Sequence, residues 1–270
     1  MTTELVFVYG GIFAVVVLLQ SALLFLVMQF KRDNSLIDIA YGPLFFTSAC
    51  ITLFLTNNNS KLPLLITFLM AIWALRLSYR VGKKNWGKPE DIRYAVWRET
   101  WMKRGQLYFV LRSFLQINLL QGIIIVLIAT PFILSATVDN FSWSFIFIGA
   151  TISLLGLGFE TIADKQIDNF IRGKKAGIIT EPFLAKGLFR YSRRPNYFGE
   201  TLFWWGLALM VIPFPYGYLA LIGPLTITYI VTRITGPMIE KIFIEKYGEA
   251  YLAYMKETSY FIPLPPHRTL

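Results

Sequence analysis

Long apolar segments separated by short clusters of charged residues make up most of the chain. Each segment comes close to the roughly 20 apolar residues that a helix needs to cross a bilayer. The pattern therefore predicts an all-α, polytopic membrane bundle of about seven transmembrane helices, in a single membrane domain over residues 1–270. The predicted spans lie near 5–30, 36–56, 62–82, 107–134, 143–163, 199–213 and 217–236.

The basic residues predict the orientation of these spans. With the N-terminus outside, 25 of the 26 Lys and Arg residues lie on the cytoplasmic side and only Lys61 lies opposite, which is the asymmetry of the positive-inside rule. The first segment lacks the features of a signal peptide, so we expect it to be retained as a helix. Residues 237–260 have apolar positions at helical spacing with charges between them, which predicts an amphipathic interfacial helix at a cytoplasmic C-terminus.

Composition agrees with a membrane environment and excludes several kinds of site. Hydrophobic residues make up 55% of the chain and the mean hydropathy is +0.53, outside the range of soluble domains. The single cysteine, Cys50, and the single histidine, His267, cannot build a thiolate or histidine metal site or a Ser-His-Asp triad. We therefore expect no metal. The net charge of +10 lies in loops beside the spans rather than in a soluble domain, so we also expect no nucleic acid.

Ionisable residues at the ends of spans are candidates for function, because charged groups in a membrane are costly. Glu160, Asp164 and Asp168 are four residues apart and share one face of a predicted helix, and Arg172 continues the row. Ion pairs between successive turns of a helix that leaves the membrane are the alternative explanation.

A second cluster lies directly before the sixth predicted span. Arg193 and Arg194 precede Pro195, which suits the first turn of a helix, while Asn196 and Glu200 lie on one face of that helix. Arginines around a helix N-terminus favour an anion, and phosphate matches guanidinium groups best. Membrane orientation alone would explain the arginines, but it requires neither Asn196 nor Glu200.

Three further features have more than one explanation. The basic segment 76–94 is a functional surface or a loop attracted to anionic lipid. Arg233 lies in the last apolar run, so its charge needs either a partner or a side chain that extends to the membrane interface. Gly156-Leu157-Gly158 lies in an apolar span with no strand before it, so helix packing explains it better than dinucleotide binding.

Four segments carry a resemblance to a known family: Asn85–Asp91, Ala163–Gln166, Gly187–Glu200 and Thr235–Glu240. Together they look like the bacterial DUF1295 branch of the steroid 5-alpha-reductase superfamily, and the similarity covers nearly the whole chain. Such enzymes are seven-helix membrane proteins whose cytosolic loops close over NADPH. The resemblance implies an NADPH-dependent reductase of a C=C bond conjugated to a carbonyl, in a steroid-like or other lipid substrate from the bilayer, in a bacterial inner membrane.

The resemblance also implies a cofactor site. Asn196 and Glu200 match the Asn-x-x-Gly-Glu motif that holds the nicotinamide and ribose portion, and Asp164 matches an acidic residue that contacts the cofactor. The other implied cofactor ligands are Arg172, Arg193, Arg194, Tyr197, Asn85, Lys88 and Arg233.

The catalytic groups of steroid reductases are only partly matched. Their third helix carries a Tyr that polarises the substrate ketone, and this chain has Trp73 in that region. The second helix instead offers Asp38 and Tyr41, three residues apart on one face, as the groups that support the developing enolate. Glu200 is the third catalytic candidate.

Two other functions remain open. The run from Arg194 to Gly199 is also similar to the Arg-His-Pro-x-Tyr-x-Gly element of isoprenylcysteine carboxyl methyltransferases, which use S-adenosylmethionine. Arg194 stands where that family has His, and Asp164 and Arg172 also disfavour it. A non-enzymatic lipid-binding or assembly protein is the other alternative, and it predicts no nucleotide affinity.

Overall fold

The computed structural model describes residues 2–85, 87–138 and 143–266. Within these ranges every regular element is a helix, as the predicted all-α class requires. His267 and part of the connection between the predicted spans 107–134 and 143–163 lie outside the described residues. The chain forms two compact units, residues 1–142 with 211–222 and residues 143–210 with 223–270. The single membrane domain over 1–270 stays a prediction.

Helices long enough to cross a membrane identify an integral membrane protein. In the described part of the chain they number six: Glu4–Lys31, Leu36–Leu55, Lys61–Asn85, Gln106–Ile128, Trp143–Lys175 and Gly217–Tyr247. The predicted span 199–213 is instead a 15-residue helix, Pro195–Leu209, which is about 22 Å long and falls short of the roughly 30 Å hydrocarbon core. Six of the seven predicted spans thus have a helix of spanning length in the described residues, and the seventh span and the orientation of the termini stay predictions.

The first unit contains the first four of these spans and a short helix between the third and fourth. Its helices are α1 (Thr2–Lys31), α2 (Leu36–Leu55), α3 (Lys61–Asn85), α4 (Ile92–Met102), α5 (Gln106–Arg112), α6 (Leu120–Ile128) and α7 (Thr130–Ser135). A π-helical stretch, Ser113–Leu119, joins α5 to α6. The predicted single span 107–134 is thus a π-interrupted helix followed by the separate α7.

Close packing of α2 on α3 fixes the core of the first unit. A Cβ at Gly42 would lie 2.8 Å from the Ala74 backbone, so only glycine permits this approach. Near the same helix ends, the Ser78 hydroxyl donates to the Ile39 carbonyl at 2.8 Å. These contacts hold the start of α2 beside the end of α3.

The second unit contains the remaining long helices and the C-terminal segment. From residue 143 onward the helices are α8 (Trp143–Lys175), α9 (Pro195–Leu209), α10 (Ile222–Tyr229), α11 (Gly236–Tyr247) and α12 (Glu249–Glu257). A second π-helical stretch, Ile230–Thr235, makes α10 and α11 continuous. The interfacial helix predicted over 237–260 is therefore wrong as a single element. Its first half continues the last span, and Gly248, with φ of 55°, separates it from α12.

Small residues let α8 and α9 approach to backbone contact. A Cβ at Gly156 would lie 2.5 Å from the Phe203 nitrogen, and a Cβ at Gly199 would lie 2.5 Å from the Glu160 nitrogen. The Ser153 hydroxyl donates to the Phe203 carbonyl at 2.9 Å within this interface. Because small side chains at helical spacing are the usual basis of tight packing in membranes, the prediction that Gly156 serves helix packing is confirmed.

Candidate functional site

The segment that precedes α9 is held in place by the C-terminal residues. We call residues 187–194 the arginine loop and residues 258–264 the tail strap. The Arg193 amide donates to the Ser259 carbonyl at 2.8 Å, and the Leu264 amide donates to the Tyr191 carbonyl at 2.9 Å. The Ser192 hydroxyl donates to the Phe261 carbonyl at 2.7 Å. The strap therefore fixes the backbone from which both arginines project.

The Arg193 side chain is saturated by partners within the second unit. Its Nε lies 2.6 Å from a carboxylate oxygen of Glu240. Its Nη1 donates to the carbonyl groups of Met255 at 3.0 Å and Thr258 at 2.6 Å, and the guanidinium stacks over the Tyr260 ring. These partners join the arginine loop to α11, α12 and the tail strap. Arg193 as a cofactor ligand stays a prediction, and its observed contacts are internal.

Arg194 differs sharply from its neighbour. Its side chain is 9% exposed, yet Nε and Nη2 have no hydrogen-bond partner in the described part of the chain. The guanidinium lies 5.3 Å from the centre of the Phe243 ring and 6.0 Å from that of Tyr197. Rings offset only part of the cost of burying a cation, so this guanidinium is suited to an anionic ligand.

The predicted polar residues of α8 and α9 come from the two closely packed helices. Asn196 and Glu200 are half-buried on α9, and Tyr197 is half-buried beside Arg194. On α8, Glu160 and Asp164 are buried, with 5% and 4% exposure. Gly199, between Asn196 and Glu200 in the motif, is the residue that packs on the backbone of Glu160. The helix packing and the polar motif thus share the same turn of α9.

An aromatic cluster surrounds the arginine loop on the side of α11 and α12. Phe183 lies 5.2 Å from Tyr251 and 5.3 Å from Tyr254, and Phe243 lies 5.3 Å from Tyr251. The Tyr254 hydroxyl donates to the Phe189 carbonyl of the loop. Burial raises the pKa of both Tyr251 and Tyr254, so these hydroxyl groups stay neutral and act as hydrogen-bonding and packing groups.

A cavity of about 360 Å³ opens between the last turns of α8 and residues 179–187. Phe170 and Phe183 contribute rings to its wall, and Gln166 and Asn169 contribute amides. Gln166 also accepts a hydrogen bond from the Leu188 amide at 3.0 Å. The cavity lies on a different face of α8 from Asp164, since 166, 169 and 170 are offset from 164 by more than a third of a turn.

Two further predicted ligands of the second unit are exposed. Arg172 lies in the last turns of α8, and Arg233 lies in the π-helical stretch before α11. The Tyr260 hydroxyl donates to the Thr232 carbonyl in that stretch at 3.0 Å. Gly236 leaves the space that this hydroxyl occupies, which gives the Gly-Pro start of α11 a packing role.

The remaining predicted residues belong to the first unit. Asp38, in the first turn of α2, accepts from the Tyr94 hydroxyl at 2.7 Å and from Arg93 Nη2 at 2.7 Å. Burial, together with the negative charge of Asp38, raises the pKa of Tyr94, which keeps that hydroxyl a donor. Tyr41 packs edge-on against Phe45 at 5.2 Å between ring centres. Asp38 and Tyr41 therefore lie near the same end of α2.

Asn85 and Lys88 lie at the C-terminal end of α3 and in the connection to α4. Asn85 is half-buried, and its carbonyl accepts from the Lys88 amide at 3.1 Å. The exposed Lys88 ammonium donates to the Lys84 carbonyl. Lys88 thus caps two carbonyl groups at the end of α3, and the assignment of Asn85 and Lys88 as cofactor ligands stays a prediction.

Several partners could not be identified from the sequence. Glu240 and Tyr94 each complete a polar contact with a residue far away in the chain, at separations of 47 and 56 residues. The one signal available for Glu240 was that a carboxylate beside an apolar span needs a partner. In the part of the chain that the structure describes, no group of three or more His, Cys, Asp or Glu could hold a metal ion.

Comparison with known proteins places the chain in a family. The sequence profile described as "Protein of unknown function (DUF1295)" matches residues 24–258. An uncharacterized protein of Schizosaccharomyces pombe, C594.04c, is 27% identical over an alignment of 170 residues. The alignment covers 55% of this chain and 48% of the relative. The chain thus spans about half of that relative, and no solved structure matches. The chain belongs to the DUF1295 family, the steroid 5-alpha-reductase-like group.

Proposed function

We propose that the chain is an NADPH-dependent reductase of a carbon–carbon double bond conjugated to a carbonyl, in a steroid-like or other lipid substrate. Membership of the DUF1295 family supports this proposal. The six helices of spanning length in the described ranges are compatible with a substrate that enters from the bilayer. We further propose that the cofactor site faces the cytoplasm, because the basic clusters flank that predicted side.

The buried Arg194 carries the proposal. Two of its guanidinium nitrogens are buried without a hydrogen-bond partner among the described residues. A phosphate group would supply the negative charge and the hydrogen-bond acceptors that the Arg194 guanidinium lacks. The site also stands at the start of the 15-residue helix α9, where free backbone N–H groups favour an anion. The residues present therefore fit the phosphate portion of NADPH.

The other residues of the site have matching roles in this proposal. Asn196 and Glu200 hold the nicotinamide and ribose portion from α9, and Asp164 contacts the cofactor from α8. Arg172 and Arg233 supply exposed positive charge for phosphate. When bound, NADPH would supply the hydride, while the chain binds, orients and excludes water.

The roles of Asp38 and Tyr41 concern the substrate. We propose that they support the negative charge that develops on the carbonyl oxygen during reduction. Asp38 already accepts two hydrogen bonds, so it would act by orienting hydroxyl donors rather than as an isolated base.

Ligand-dependent thermal stability of the purified protein in detergent tests the cofactor. A ligand that binds only the folded state raises the melting temperature with concentration. We expect NADPH to raise it and S-adenosylmethionine to have no effect. Stabilisation by S-adenosylmethionine alone would instead favour the methyltransferase, and stabilisation by neither would favour a non-enzymatic role.

Turnover tests the reaction itself. The protein, reconstituted in vesicles with a panel of steroid and long-chain enones, should consume NADPH only when an enone is present. The matched control is the saturated ketone of each compound, which offers no conjugated double bond. Oxidation of NADPH at the same rate with both members of every pair would contradict the proposal.

A further inference from the structure

The outer face of the short helix α4 begins with two exposed aliphatic residues and continues with the exposed ion pair of Glu99 and Lys103. Ile92 and Val96, one turn apart, are 73% and 52% exposed. On the opposite side of α4, Tyr94 and Trp101 are buried. Seven of the eleven residues of α4 are exposed, and among them are four large apolar side chains: Ile92, Val96, Trp97 and Met102. Large apolar side chains exposed together indicate a surface that contacts something other than water.

The contacts of the inner face place α4 at the level of the bilayer boundary. Tyr94 bonds to Asp38 in the first turn of α2, and Arg98 stacks over Phe109 in the first turn of α5, 4.7 Å from the ring centre. Both anchors are end turns of membrane-spanning segments. A chain that leaves the membrane at the end of α3 and re-enters it at α5 would place α4 along the surface between them.

The segments around α4 are strongly basic. Residues 80–112 contain nine Lys and Arg against three Asp and Glu. Lys83 and Lys84 precede the helix, Lys103 and Arg104 follow it, and all four are exposed. Basic residues close to a membrane surface are attracted to an anionic leaflet. We call these four residues the cation belt.

We propose that α4 and the cation belt form a docking surface for anionic phospholipid. Ile92 and Val96 enter the boundary between headgroups and acyl chains, while the cation belt binds the headgroup phosphates. An amphipathic helix in this position is typically buried by about 5–10 Å. The Asp91 carboxylate caps α4 by accepting from the Arg93 amide at 3.1 Å, so the helix is preformed. The inference does not depend on the proposed reaction.

A fluorescent probe on α4 tests this docking directly. An environment-sensitive dye is attached to Val96→Cys in a Cys50→Ser background, and the protein is reconstituted in vesicles of neutral phosphatidylcholine with or without phosphatidylglycerol. The control carries the dye at Ala176→Cys, just after α8. That helix has 33 residues and is about 50 Å long, which is longer than the roughly 30 Å hydrocarbon core, and Ala176 is exposed.

We expect lipid-borne quenchers to reach the dye at position 96 and aqueous iodide to reach the dye at position 176. Phosphatidylglycerol should increase lipid quenching at 96, and the double variant Lys83→Gln, Lys84→Gln should remove that increase. Equal iodide quenching at both positions would overturn the docking surface. Lipid quenching that is identical in both vesicle types would overturn its anionic preference. Ile92→Cys provides a second reading if Val96→Cys does not fold.

Discussion

Arg193 and Arg194 are adjacent in the chain, but their guanidinium groups have different surroundings. Arg193 is paired with Glu240 and two backbone carbonyls, whereas Arg194 has buried nitrogens with no hydrogen-bond partner among the described residues. Removing one partner of a buried pair costs roughly 3–5 kcal/mol. Loss of Arg193 should therefore reduce stability, while loss of Arg194 should chiefly reduce anion affinity.

Substitutions on α2 test the proposed catalytic residues. Tyr41→Phe keeps the ring that packs on Phe45, and Asp38→Asn keeps an acceptor for Tyr94. We expect both to lower turnover of an enone substrate without removing NADPH binding. Rates and NADPH affinity are measured on the same reconstituted samples. Wild-type rates in both variants would dismiss these assignments.

Asn118 offers a test of burial cost within the first unit. It is fully buried in the π-helical stretch, and both polar atoms of its amide have no hydrogen-bond partner in the described ranges. An unsatisfied buried polar group costs about 1–3 kcal/mol, and leucine is apolar and similar in size. We therefore expect Asn118→Leu to raise the melting temperature in detergent. A lowered melting temperature would show that the amide has hydrogen-bond partners and would contradict this account.

At the scale of helices, glycine placement decides how α8 meets α9. Gly156 and Gly199 face each other's helix across a backbone contact, and Gly206 repeats this against Gly149 and Ser153. The sequence showed the small residues, but it did not show which of two nearby glycines faces the partner. That choice depends on the rotation of α8 about its axis, which only the packed structure fixes.

A matched pair of substitutions tests this interface. Gly156→Ala would place a methyl group 2.5 Å from the Phe203 nitrogen, whereas a Cβ at Gly158 meets no atom within 4 Å. Overpacking costs roughly 1–3 kcal/mol, while alanine in a helix gains up to about 1 kcal/mol over glycine. We expect Gly156→Ala to lower the melting temperature and Gly158→Ala to leave it unchanged or raise it. Equal effects would contradict the assigned packing.

At the scale of the whole molecule, the sequence predicted the helical class and the positions of six spans. These features could be predicted because the length and the hydropathy of a segment are local properties of the chain. The seventh span was not confirmed, because the helix that begins at Pro195 ends at Leu209. The pairing of Arg193 with Glu240 could not be predicted from the sequence, because the two residues are 47 positions apart.

Labelling of single cysteines tests the predicted orientation. In a Cys50→Ser background, Asn59→Cys lies in the connection between α2 and α3, and Lys174→Cys lies in the last turn of α8. Both positions are exposed. If the basic clusters face the cytoplasm, a membrane-impermeant maleimide should label position 59 in intact cells and position 174 only after lysis. The reverse pattern would contradict the orientation.

NADPH affinity of the Arg194→Gln variant tests the central claim most directly. The matched control is Arg190→Gln, which removes an exposed arginine from the same loop. A charge-assisted hydrogen bond is worth about 1.5–3 kcal/mol, so Arg194→Gln should weaken NADPH binding roughly 10- to 100-fold while Arg190→Gln has little effect. Equal NADPH affinity in the wild type and both variants would contradict the assignment of Arg194 to the cofactor phosphate.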